Sequence, residues 1–426
     1  MTKCSISSTS FSFFFILVIL HLAVAIVFNQ SPLVRENQPS SEGTMEGVNL
    51  RRTRSFASNG ITKYTGLLWK SAKLFELNNA ATFAPSNVGP GIDLTGVGYS
   101  DPIYADGLIF FDVTLAARQN YVLALNSKDG SSAWTFSNSE PISSPTIVDD
   151  TVYVAALDGN FYALDSTTGS EKWRYRFKGS SWYVGSAPAV SNGIAFFSSL
   201  SGDLFALDLA TRKEKWIFRS KGILTPVAIS KGTVFFGSDK GVLYAVDELT
   251  GAEKWMFKTK GRPGTPIVNS ESVIVRGDQG LIYSVNARSG IQEWQSKSGG
   301  DFSLIYYLPW VQKGVSLALS DGTVVFVNGS GKVANLIALD AKIGIQKWVY
   351  EIGRVGRSPV ITNNIVYIGS EGSLHATELS SGKKLWALGT VTTVGGKAIP
   401  RIASSPYVHE GVLYFLVDDG HLYALR

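Results

Sequence analysis

A tryptophan recurs along this chain at an interval near forty residues, and that interval constrains the fold more than any other feature. The series is Trp134, Trp173, Trp216, Trp255, Trp294, Trp348 and Trp386, with successive spacings of 39, 43, 39, 39, 54 and 38 residues. Each tryptophan ends a unit of the same kind. The copy that starts at Ser144 begins S-P-T-I-V, turns at Asp149-Asp150 and continues V-Y-V-A-A-L. It turns again at Asp158-Gly159, runs F-Y-A-L-D, turns at Thr168-Gly169 and ends E-K-W-R-Y-R-F. Short β-branched and aromatic runs between Asp, Asn and Gly turns read as four strands per unit. The expectation is an all-β chain, an eight-bladed β-propeller of four-stranded antiparallel blades. The long interval predicts insertions between Gly299 and Trp310 and around Gly329 to Asn335.

A tighter motif, A-x-D-x-x-x-G-x-x-x-W, sits inside the unit. Ala163, Asp165, Gly169 and Trp173 fit it, as do Ala245, Asp247, Gly251 and Trp255, and Ala338, Asp340, Gly344 and Trp348. Partial copies place Asn126, Asn286 and Glu378 at the Asp position, Ser284 at the Ala position and Arg212 at the Gly position. The spacing lets a bulky indole pack between a small Ala and a Gly of a neighbouring unit. The Asp can accept hydrogen bonds from backbone N–H groups of its tight turn. One blade cannot bury both of its faces, so the tryptophan is the piece that docks it to the next.

These motif copies resemble the tryptophan-docking repeats of the pyrroloquinoline-quinone (PQQ)-like propeller superfamily. That group includes quinoprotein alcohol dehydrogenases and the outer-membrane assembly scaffold BamB; plant gamete-expressed propeller proteins are a more distant resemblance. The likeness covers about residues 66 to 426 and implies the propeller fold. Its BamB branch implies assembly or scaffolding work through protein partners, and its dehydrogenase branch implies a cofactor.

Seven units end in a tryptophan, and the chain then runs from Ser404 to Arg426 through three strands of an eighth. The missing strand has a match at the other end, in Gly66-Leu67-Leu68-Trp69-Lys70. Trp69 is therefore expected to complete the last blade and close the ring, which removes free sheet edges. In the alternative, Trp69 belongs to a linker and the last blade keeps three strands.

The body of the propeller is expected at residues 61–426. Ahead of it lies an apolar stretch from Phe11 to Phe28, with Lys3 before it and a small-residue run at Ala23-Val24-Ala25. Residues 1–28 read as a cleaved signal peptide or a retained N-terminal membrane anchor. Either places the body outside the cytoplasm, secreted, periplasmic or tethered. Residues 29–60 are polar, with Pro32, Pro39 and the cluster Arg51-Arg52-Thr53-Arg54, and read as a disordered linker. A formal net charge of +5 is mild for 426 residues and does not point to nucleic acid.

In quinoprotein dehydrogenases the resemblance implies PQQ and Ca²⁺ in a central funnel, under a disulfide between adjacent cysteines. The only cysteine here is Cys4, ahead of the apolar stretch. Ca²⁺ requires six to eight oxygen ligands, while Asp158, Asp165, Asp208, Asp247, Asp321 and Asp340 all fall at repeat turns. His375, His409 and His421 fall in different places of the repeat, and no G-x-S-x-G elbow or phosphate loop is present. No catalytic residue, cofactor or metal is assigned.

What remains is surface. Connections between blades share one face of the disc with the middle turn of each blade. They are basic here, with Arg174, Arg176, Lys178, Arg219, Lys221, Lys258, Lys260, Arg262, Arg354, Arg357 and Arg401. Trp182 and Trp310 lie in such connections, away from docking positions. Arg276 stands where other repeats place Ala155, Ser198 or Gly237. Exposed aromatics beside Arg are common interface anchors. Trp182, Arg276, Trp310 and Arg357 are therefore the candidate partner-binding residues, with local packing as the alternative for each. The favoured function is a non-catalytic scaffold for protein–protein interaction. A quinoprotein-type oxidoreductase and a carbohydrate- or small-ligand-binding module are the rivals.

Overall fold

The computed structural model describes residues 60–74, 98–115, 119–177, 187–199, 201–220, 222–297, 316–329, 334–353, 357–370, 372–389 and 402–426, with the short strands Thr44–Met45 and Ser55–Phe56. Among these residues the strands fall into eight sheets. We number the blades by chain order: 1 (103–138), 2 (146–176), 3 (189–219), 4 (228–258), 5 (267–297), 6 (318–353), 7 (360–389) and 8 (407–425 with Leu67–Lys70). Blade 2 is typical, with strands Thr146–Val148, Thr151–Ala155, Asn160–Asp165 and Glu171–Arg176. First strands of neighbouring blades lie against one another and so surround the axis.

The all-β eight-bladed expectation holds, and so does closure. Leu67–Lys70 pairs antiparallel with His421–Leu425, Trp69 standing opposite Ala424. The same register recurs round the ring: Ala124 opposite Trp134, Ala163 opposite Trp173, Ala206 opposite Trp216 and Ala245 opposite Trp255. Ser284 and Trp294, Ala338 and Trp348, and Ala376 and Trp386 complete it. In each of these seven ladders the register shifts just after the small residue. A bulge of this kind twists the outer strand locally.

Each indole then meets the next blade. The Nε1–H of Trp69 donates to Ser127 O at 3.0 Å, Trp134 to Ser166 O at 2.8 Å and Trp216 to Glu248 O at 3.1 Å. Trp255, Trp294 and Trp348 donate to Ala287, Ala341 and Leu379. The acceptor always follows the turn residue at the Asp position. The adjacent glycine is required: a Cβ on Gly169 would sit 2.5 Å from the Trp134 ring, and φ there is +71°. Blade 8 has no such turn, because its chain breaks between third and fourth strands. Ile61 O supplies the carbonyl instead, accepting from Trp386 Nε1 at 2.9 Å. Tyr367 Oη also bonds Ile61 O, at 3.1 Å.

Two short strands fall inside the segment expected to be disordered linker. Thr44–Met45 runs antiparallel to the first strand of blade 2, and Ser55–Phe56 runs parallel to the first strand of blade 7. Both therefore lie on inner edges, facing the axis. Inner-edge N–H and C=O groups need partners, and a main-chain ladder provides them whatever the side chains.

Candidate interaction face

The topology gives the disc two unlike faces. Turns from first to second and from third to fourth strand share one face; we call it the turn face. These turns are short, with Asp149-Asp150 and residues 166–170 as examples in blade 2. The other face, the connection face, carries the second-to-third turns and the segments between blades. There the joins are long, for example residues 298–317 and 390–406.

On the turn face the repeated aspartates are structural. Asp165 Oδ1 accepts from the Thr168 N–H at 2.9 Å and the Thr168 hydroxyl at 3.0 Å. Asp208 does the same with Thr211. The Thr168 and Thr211 amides, and then their hydroxyls, hold these carboxyls below the ordinary carboxylate range. Lys172 and Lys254 add ion pairs to Asp165 and Asp247.

The connection face has a defined inner rim. The residue near the end of each second strand pairs two positions before the small residue that faces the tryptophan. These residues are Asp112, Ala155, Ser198, Gly237, Arg276, Val327, Gly369 and Leu416. A hydroxyl caps several of their amides: Ser100 for Asp112, Ser143 for Ala155, Thr225 for Gly237 and Ser404 for Leu416. Gly264 and Arg357 occupy the capping position in blades 5 and 7, where their own N–H groups bond Arg276 O and Gly369 O.

Two of the four residues singled out from sequence fall on this rim. Arg276 is 5% exposed. Its Nη1 donates to Val327 O of blade 6 at 2.7 Å, and its guanidinium lies 5.2 Å from the Phe326 ring centroid. This corrects the expectation of an exposed anchor: the side chain is enclosed between blades 5 and 6. Arg357 is half-buried, and its Nε reaches Ile402 O at the edge of blade 8 at 3.5 Å. Both arginines thus bridge a blade boundary through a main-chain carbonyl. Trp182 and Trp310 lie outside the described residues, as do Lys178, Lys221, Arg354 and Arg401.

Asp112 was missed in the sequence because blade 1 has no glycine between its second and third strands, where every other blade has one, so the end of its second strand does not align with theirs. It is buried at the rim position of blade 1, four blades from Arg276. The histidines stay apart. His375 bonds Tyr350 Oη and Ser370 Oγ, His409 stacks on Tyr104 with centroids 3.7 Å apart, and His421 bonds Ser71 O. Among the described residues no group of three or more His, Cys, Asp or Glu could hold a metal ion. PQQ presents three carboxylates, and its Ca²⁺ needs six to eight oxygens. The rim offers small or aliphatic residues, an enclosed Arg276 that already serves Val327 and Phe326, an Arg357 that reaches Ile402 O, and one aspartate across the ring. The described residues do not fit that group.

Four likenesses bear on this arrangement. The family model of the outer membrane protein assembly factor BamB matches residues 67–222 and 310–426. The crystal structure of BamB from Moraxella catarrhalis superposes with a TM-score of 0.58 at 19% identity, over 77% of this chain and 94% of that one. The quinohemoprotein alcohol dehydrogenase from Comamonas testosteroni gives 0.66 at 15% identity, over 90% of this chain and 80% of that one. In sequence, the tetrathionate hydrolase of Acidithiobacillus ferrooxidans is 35% identical over 117 residues, 24% of this chain and 23% of the hydrolase. This chain therefore spans only about a quarter of that relative.

Proposed function

The chain belongs to the outer membrane protein assembly factor BamB family of PQQ-like β-propellers, and on that premise we propose that it is a non-catalytic scaffold. It works outside the cytoplasm and binds protein partners through its connection face. The observation that carries this reading is the asymmetry of the disc. One face consists of self-satisfied tight turns. The other carries every long join, the basic residues Lys258, Lys260 and Arg262, and the half-buried Arg357. Loops held on a rigid scaffold are where binding residues concentrate. Trp182 and Trp310 belong to joins of that face by position in the chain, and with Arg357 they form the proposed partner site. Arg276 supports it from within, by holding blades 5 and 6 in register.

The family contains enzymes as well as scaffolds, and the fold is common to both. The scaffold reading is favoured by the poor fit of the rim to a quinone cofactor. The test is affinity purification of the full chain from its native membrane or secreted fraction, beside a variant with Trp182→Ala and Trp310→Ala. A protein that co-purifies with the first and is depleted from the second supports the reading. Turnover of an alcohol or of tetrathionate by the purified chain, with the variant equally active, would overturn it.

A further inference from the structure

The turn face is not uniformly polar. Seven third-to-fourth turns can be compared at three tip positions, two, three and five residues after the Asp-type residue. In blades 1, 2, 3 and 7 these positions hold Lys128, Asp129, Ser131, Thr167, Thr168, Ser170, Ala210, Thr211, Lys213, Ser380, Ser381 and Lys383. Large aliphatics appear only in blades 4, 5 and 6, which are adjacent: Leu249, Ile291, Ile343 and Ile345 are 58%, 68%, 56% and 63% exposed. Ile343 gives up a local bond. Thr168, Thr211, Thr250, Ser289 and Ser381 each turn a hydroxyl onto the Asp-type side chain of their own turn. Ile343 keeps only the backbone donor to Asp340. Packing within the propeller does not account for four exposed aliphatics at turn tips, and a cluster of this kind marks a contact with a partner or a membrane.

The direction of the chain in the central channel bears on which. First strands run toward the turn face, since Val148 leads into the Asp149-Asp150 turn. Thr44–Met45 is antiparallel to that strand, with Thr44 opposite Ile147 and Met45 opposite Thr146. Thr44 is therefore the end nearer the turn face. Along the chain, the apolar stretch Phe11 to Phe28 precedes Thr44. Residues 29–43 can span at most about 50 Å when fully extended. The exposed cations Arg288 and Lys342 stand beside the aliphatic tips and suit anionic headgroups.

We propose that the turn face of blades 4–6 rests on a lipid bilayer, with Leu249, Ile291, Ile343 and Ile345 entering the interfacial layer. The contact resembles that of an amphipathic surface element, apolar tips below and cations at headgroup level. It goes beyond the scaffold reading and does not depend on it: the connection face is left pointing away from the membrane.

The test uses the full chain with Cys4→Ser and one new cysteine carrying an environment-sensitive fluorophore, in vesicles of phosphatidylcholine and phosphatidylserine with brominated acyl chains. Ile291→Cys and Ile343→Cys report on the turn face. Gln279→Cys, exposed on the connection face, is the control. The expected result is loss of emission at Ile291 and Ile343 but not at Gln279. Equal emission at all three sites, or loss at Gln279 alone, overturns the proposal. So does a turn-face signal that ignores the vesicles and responds only to added native protein, which would make this face a protein contact.

Discussion

The guanidinium of Arg212 lies 5.3 Å over the Trp173 ring, at the one described blade boundary where the turn beneath the indole lacks glycine. Arg212 adopts φ +56°, a left-handed conformation that costs a side chain about 1–2 kcal/mol. A cation over an indole returns about 0.5–1 kcal/mol at an exposed site. Arg212→Gly removes both terms and should leave unfolding free energy within about 1 kcal/mol of the parent. Arg212→Ala keeps the strained backbone and loses the cation, so it should be the less stable of the two. Chemical denaturation of the three proteins checks the order; Arg212→Ala more stable than Arg212→Gly contradicts it.

Ring closure rests on two N-terminal residues: Ile61 completes the boundary between blades 7 and 8, and Trp69 the boundary between blades 8 and 1. Deleting residues 1–60 leaves both in place, and melting should remain cooperative. Deleting residues 1–75 removes the strand paired with His421–Leu425 and the acceptor for Trp386. The exposed edge should then promote aggregation, seen as light scattering well below the parent melting temperature. Identical melting of the two truncations would show that the ring does not depend on this strand.

The tryptophan period was legible because an indole needs a fixed slot, and the slot needs Ala or Ser opposite and Gly beyond. That requirement writes itself into spacing. Closure by Trp69 was legible for the same reason. Thr44–Met45 and Ser55–Phe56 were not, since a two-residue strand has no periodicity and its bonds are all main-chain. The burial of Arg276 was equally hidden. V-I-V-R-G-D reads as a strand end opening to solvent, and only the register of blade 6 reveals that Phe326 and Val327 enclose it.

His375 should make stability depend on pH. Burial first, and then the charge of Lys384, push it down to about 4 from an ordinary 6.5. The folded chain therefore holds it neutral where the unfolded chain takes up a proton. Its contribution is complete above about pH 6.5 and declines as pH falls toward 4. His409 is shifted in the same direction by burial. Unfolding free energy of the parent should drop across this window, and His375→Gln should flatten the drop while losing part of the Tyr350 and Ser370 contacts. A slope unchanged by the substitution would assign the acid sensitivity elsewhere.

Quinone binding has a direct check. Among the described residues the rim presents two arginines, Arg276 donating to Val327 O and Arg357 to Ile402 O, and one aspartate, Asp112. Calorimetric titration with PQQ and Ca²⁺ should register no binding heat, and dye-linked alcohol oxidation should stay at background. Micromolar affinity would require a ligand set that the described rim does not contain.

The proposed partner site separates by kinetics. In that proposal Trp182 and Trp310 supply apolar area, while Lys260 is an exposed cation of the connection face. With a partner in hand, Trp182→Ala or Trp310→Ala should weaken binding by more than about 1 kcal/mol, chiefly by faster dissociation. Lys260→Ala should instead slow association and reduce its dependence on salt, because a rim charge steers encounter. Arg276→Ala should act differently from both. It empties an enclosed site between blades 5 and 6, so it should lower the melting temperature before it alters any rate constant of the folded fraction. Tryptophan variants that melt early while their folded fraction binds normally would reassign Trp182 and Trp310 to packing, and the partner would have to be sought through Arg357 and its neighbours.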